Sequence, residues 1–136
     1  MIIETLNAYI AGQRETNMQE IDGVVNTLQS FAALIMENDV PELIHSFLRA
    51  LNKVSPKIQY TYSTYGMYQE LITSGEARPE DSEILERLKL GETVVTDIIY
   101  SERLGDIYCV GVGVHVMKDG VFIGTVQGFI NAEALI

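Results

Sequence analysis

The stretch from Ile107 to Ile130 decides how this chain folds: IYCVGVGVHVM at 107–117, KDG at 118–120 and VFIGTVQGFI at 121–130. Apolar residues alternate on both sides of an Asp-Gly pair, the strongest short-range signature of a β-hairpin. With Met117 facing Val121 across a three-residue loop, His115 falls opposite Ile123, Gly113 opposite Thr125, Gly111 opposite Gln127 and Cys109 opposite Phe129. The other face then carries Val110, Val112, Val114 and Val116 beside Phe122, Gly124, Val126 and Gly128, because strand side chains alternate with a period of two. That face is apolar throughout, and its glycines suit a helix lying close to the sheet.

Working outward, Thr93 to Tyr100 is a β-branched strand, and Glu80 to Lys89 is a short amphipathic helix closed by Gly91. Gly66 to Pro79 reads as a loop with one helical turn at Met67 to Ile72. Ile58 to Tyr65 alternates and is rich in Tyr and Thr, a strand by pattern and propensity. A helix through Leu43, Ile44, Phe47, Leu48 and Leu51 starts near Asp39, a candidate cap, and Pro41, and stops before Pro56. From Ile2 to Glu37 the apolar residues recur at helical spacing, which predicts one long helix of roughly 50 Å at about 1.5 Å per residue. Residues 1–20 are expected to project from the body, and residues 21–136 to form one domain. The expected class is α+β: an antiparallel sheet with a long N-terminal helix on one face and a pocket on the other.

Composition narrows the functions. The chain has 136 residues, one-domain size, and a formal charge of −10 with no basic run, which speaks against nucleic acid and against anionic membrane surfaces. No stretch approaches a membrane span, and the N-terminus lacks the regions of a signal peptide, so the chain reads as soluble in itself. Cys109 is the single cysteine, a buried small apolar residue on the plain reading. Cys109 and His115, six residues apart on one strand, stand about 20 Å from each other and form no dyad. His45 and His115 lie on different elements without a matching ligand set, so no metal and no cofactor is expected. Nothing in the sequence marks an enzyme.

The face opposite the valines mixes Cys109, His115, Thr125 and Gln127 with two glycines, a set suited to a lined cavity. Tyr62 and Tyr100, on the strands before the hairpin, are expected on its walls, with the 80–89 helix and the loop after Tyr65 closing it. The plainer alternatives stay open: His115 as a structural histidine, Thr125 and Gln127 as solvent-facing residues of an uncovered sheet, the tyrosines as core or rim residues.

From Ile21 onward the chain resembles the Cache family, PAS-like extracytoplasmic sensor domains of bacterial receptors. The resemblance is carried by Gly91-Glu92 after a helix, the strand Thr93 to Asp97, and the final hairpin whose second strand holds Ile123-Gly124. It implies a small-molecule-sensing domain on the extracytoplasmic side of a bacterial membrane. Flanking transmembrane helices and a cytoplasmic output domain, such as a GGDEF-type diguanylate cyclase, would belong to the whole receptor. Members that bind amino acids or carboxylates carry an Arg and aromatic residues where this chain has Ser82, Ile84 and Leu85, which weakens such a ligand here. Ile3, Leu6 and Ile10 follow a three-four spacing that predicts a homodimer through the N-terminal helix. The competing expectation is a PAS- or GAF-like interaction module without a small ligand.

Overall fold

The computed structural model describes residues 2–12, 14–76 and 79–135. Helix lies on either side of residue 13, as α1 (Ile2–Gly12) and α2 (Arg14–Glu37), followed by α3 (Pro41–Val54), β1 (Ile58–Thr64), α4 (Tyr65–Ser74), α5 (Pro79–Lys89), β2 (Val94–Ser101), β3 (Ile107–Lys118) and β4 (Val121–Asn131). A last 3₁₀ turn spans Ala132–Leu135. The four strands form one antiparallel sheet in the order β1-β4-β3-β2. The α+β class is as expected.

The core is the valine face. Val24, Leu28, Phe31, Ala32 and Ile35 line one side of α2 and are buried with Val110, Val112, Val114, Val116, Val126 and Ile130. Gly128 allows the close approach, since a Cβ there would stand 2.8 Å from Val24 Cγ1. Phe31 also stacks on Phe47 of α3, with ring centroids 5.6 Å apart.

The hairpin turn holds two residues, not three. Asp119 and Gly120 both have positive φ, 51° and 77°, the backbone of a type I′ turn, so Lys118 pairs with Val121. A bulge at Ile123 then shifts the ladder again, and His115 pairs with Thr125, Gly113 with Gln127, Gly111 with Phe129 and Cys109 with Asn131. Each shift alone would have exchanged the faces; together they restore them.

Three helical expectations change. Val40 is the residue before the first turn of α3, in extended conformation, and no side chain caps that helix, so Asp39 does not. The segment after Tyr65 is a ten-residue helix whose cap is Thr64: its Oγ1 accepts the Met67 N–H at 3.3 Å. The N-terminal helix does not project. Ile3 and Leu6 pack against the core, Asn17 is buried, and Asn7 Oδ1 accepts the Ile98 N–H of edge strand β2 at 3.2 Å. The side chain of Ile10 lies outside the described residues.

At the opposite edge, Asn52 of α3 grips β1 with both ends of its amide. Its Nδ2 donates to the Tyr60 carbonyl at 3.0 Å and its Oδ1 accepts the Tyr60 N–H at 2.7 Å. Side chains thus stand in for a neighbouring strand at both edges, which protects them from pairing with another chain.

Candidate functional site

The face opposite the core is covered, not open. Helix α5 lies over the β3 side, where Leu88 fills the space left by Gly113: its Cδ2 is 3.4 Å from the place a Cβ would take. Leu85, Leu88 and Val94, the last paired with Gly113, are buried there. The end of α5 is fixed by Gly91, φ +87°, with Gly91 N–H on the Leu88 carbonyl and Glu92 N–H on that of Arg87 at 3.0 and 3.1 Å. This is the Schellman arrangement, and it needs a residue tolerant of the left-handed region.

Helix α4 lies over the β4 and β1 side, and here the contacts are polar. Thr125 is fully buried, its Oγ1 3.0 Å from the Tyr68 hydroxyl. Gln127 Nε2 donates to that hydroxyl at 2.6 Å, and Gln127 Oε1 accepts from Thr61 Oγ1 at 2.8 Å and Ser63 Oγ at 3.2 Å. Burial raises the Tyr68 pKa, opposed by the Thr125 hydrogen bond and assisted by the Asp81 carboxylate, so the phenol stays protonated at neutral pH. His115 stands beside Thr125 in the next strand, under Gly91, and its Nδ1 is shielded from solvent without a hydrogen-bond partner. Lys89 of α5 sits 4.8 Å above the Tyr65 ring of α4, and Tyr65 meets Phe122 edge-on, so the two helices meet over the hairpin tip.

Of the six expected site residues, His115, Thr125 and Gln127 come together on this face. Cys109 shares the face but is fully buried near its far end, and burial raises its thiol pKa; it is an enclosed apolar residue. Tyr62 is misplaced: it pairs with Val126 and packs against the core on the valine side. Tyr100 is misplaced as well. A bulge between Val95 and Ile98 turns the strand, so Tyr100 shares the side of core residue Ile98, and its hydroxyl bonds Asp106 Oδ1 at 2.9 Å while its ring meets Tyr108 edge-on.

Sequence reasoning missed Thr61, Ser63 and Tyr68. The signal existed in β1, where Thr61 and Ser63 alternate with Tyr60 and Tyr62; knowing that β1 pairs with β4 would have put the hydroxyls, not the phenols, beside Gln127. Two open clefts of the described surface lie elsewhere, one between α2 and β1 around Gly23, Thr27 and Tyr60, the other along α1 at Ile2 and Thr5. Among the described residues no group of three or more potential ligands could hold a metal ion, and no helix is long and apolar enough to cross a membrane.

The fold has known counterparts. The extracellular domain of mmHK1S-Z2, described as a histidine kinase, superposes with a TM-score of 0.64 at 15% identity, over 97% of this chain and 60% of that one. The sensory domain of the Campylobacter jejuni chemoreceptor Tlp3 (CcmL), solved with isoleucine bound, gives a TM-score of 0.49 at 15% identity, over 98% of this chain and 58% of that one, too low to carry more. This chain therefore shares the fold of the mmHK1S-Z2 extracellular domain, spanning about 60% of its length. No family model matches. The chromosomal replication initiator DnaA of Limosilactobacillus reuteri, in strains DSM 20016 and JCM 1112, is 42% identical over 52 residues, 38% of this chain and 12% of DnaA. The match is shorter than the domain and spans a small part of the relative, so it shows no family.

Proposed function

We propose that this chain is a Cache-type sensory domain of a bacterial membrane receptor, binding a small molecule on the sheet face under α4 and α5. The observation that carries this reading is the division of the sheet. One face is a continuous apolar core, whereas the other holds a buried Thr125, a three-partner Gln127 and a His115 with an unmatched ring nitrogen beneath two short helices. A face that served only as core would not carry this set. The fold shared with the extracellular domain of a histidine kinase supports the same reading. An extracytoplasmic location, flanking transmembrane helices and an output domain, of GGDEF or another type, belong to the proposal. So does a role in sensing, not catalysis.

A thermal-shift screen of metabolites tests it, because a ligand of the folded state stabilises by about RT ln(1 + [L]/Kd), near 2.7 kcal/mol at a hundredfold excess. A hit should lose most of its effect in Gln127→Leu; hits indifferent to that change would place binding elsewhere.

A second reading, an interaction module, draws on Leu43, Phe47 and Val54, exposed in a four-seven spacing along α3. Homodimerisation through the N-terminal helix is expected from the sequence at Ile3, Leu6 and Ile10; Ile3 and Leu6 pack against the core, and Ile2 and Met18 are large apolar side chains exposed along that helix. Sedimentation at micromolar concentration separates the two surfaces: serine at Ile2 and Met18 should abolish a helix-mediated dimer, serine at Leu43 and Phe47 a dimer through α3.

A further inference from the structure

Thr125 and Gln127 belong to a central strand, yet their partner is a side chain from outside the sheet. The Tyr68 hydroxyl reaches down from α4 to both, while Thr61 and Ser63 hold the other end of Gln127. Helix α4 carries no fully buried residue, and Tyr68 is tied to the floor through its hydroxyl. Helices with little buried surface lie at the low end of local stability and open before the rest of a domain. Beside this contact, His115 Nδ1 has no partner, and a shielded, unmatched polar atom is costly to keep. The members of the network, Thr61, Ser63, Tyr68, Thr125 and Gln127, are all uncharged, and the carboxylate that bears on Tyr68 is Asp81.

We infer that Tyr68 occupies, from within the chain, a site whose outside ligand bears a hydroxyl group and no carboxylate. The ligand hydroxyl takes the place of the phenol between Thr125 and Gln127, and a second polar group of the ligand pairs His115 Nδ1. Displacement of Tyr68 lifts α4, which gives binding a mechanical consequence. This inference rests on the reading of the same face as the binding site.

The probe is p-cresol, the tyrosine side chain as a free molecule, with p-hydroxybenzoate as its carboxylate counterpart. Binding to the full chain is measured by calorimetry and thermal shift in wild type, Tyr68→Ala and Tyr68→Ala with Gln127→Leu. The expected result is p-cresol affinity about tenfold higher for Tyr68→Ala than for wild type. Adding Gln127→Leu should remove most of that gain, and p-hydroxybenzoate should bind more weakly than p-cresol. Equal binding of p-cresol to wild type and Tyr68→Ala overturns the inference, as does equal binding of the carboxylate. If Tyr68→Ala does not fold alone, p-cresol should restore its near-ultraviolet circular dichroism, and failure to restore it also overturns the inference. A metabolite that acts through Gln127, together with p-cresol that ignores Tyr68→Ala, keeps the site and removes Tyr68 from it; if nothing acts through Gln127, both readings fall.

Discussion

The two faces of one sheet are built to opposite rules. On the valine face, α2 presses Leu28, Phe31 and Ile35 onto alternating valines, and even the glycines are used to bring backbones together. On the other face, two short helices cover a mixture in which Leu88 fills one gap and a phenol satisfies two polar groups, while an imidazole nitrogen is left unmatched. The first arrangement has little freedom to rearrange without loss. In the proposed function the second exchanges one set of partners for another, as a binding face requires.

Substitutions can break or sharpen this contrast. The largest loss is expected on the core face: Leu28→Ala should cost about 2–5 kcal/mol in urea unfolding, since the residue is fully buried in close packing. Gly124→Ala comes next, at about 1–3 kcal/mol, because its Cβ would lie 2.6 Å from the Ser63 carbonyl oxygen, a backbone atom that cannot swing aside. On the other face Gln127→Leu should cost roughly 1–2 kcal/mol, the penalty of leaving Tyr68, Thr61 and Ser63 short of a partner, and the chain should still fold. A cost as large as that of Leu28→Ala would mean that the polar face is core after all.

The smallest change is expected for His115→Leu. Its Nδ1 gives up no hydrogen bond and the change removes a shielded, unmatched atom, so stability should not fall and should rise by up to about 1 kcal/mol. The pH dependence is shared by both faces, since burial also raises the Tyr60 and Tyr62 pKa values on the valine side. Burial raises the Cys109 and Tyr68 pKa values above 9.0 and 10.0, so the unfolded chain ionises first. Stability should be level below about pH 9 and fall as pH rises through the folded values; Cys109→Ala should delay the onset, and a chain insensitive to alkali would contradict the burial of both groups.

The hairpin was legible because Asp119-Gly120 and the valine alternation constrain each other, and parity survived two separate one-residue shifts. Only the faces were fixed that way. Tyr62 and Tyr100 went to the wrong side because their facing depends on which strand pairs with which and on a bulge at Thr96 and Asp97, where Thr96 Oγ1 accepts the Gly111 N–H at 2.8 Å. Neither is a local property of sequence. Tyr68 was hidden by reading Gly66 as the start of a loop, when Thr64 had already supplied the cap of a helix. The N-terminal helix looked longer than the domain needed, yet Asn7 gives it a task at the sheet edge.

The division of labour between the faces is tested most directly by titrating the first stabilising metabolite into isotope-labelled chain and mapping the amide shifts. The account predicts changes centred on α4, α5, Gly113, His115, Thr125 and Gln127, with α2 and the valines little moved. Changes centred instead on Leu43, Phe47 and Val54 of α3, with the α4 and α5 face silent, would contradict it.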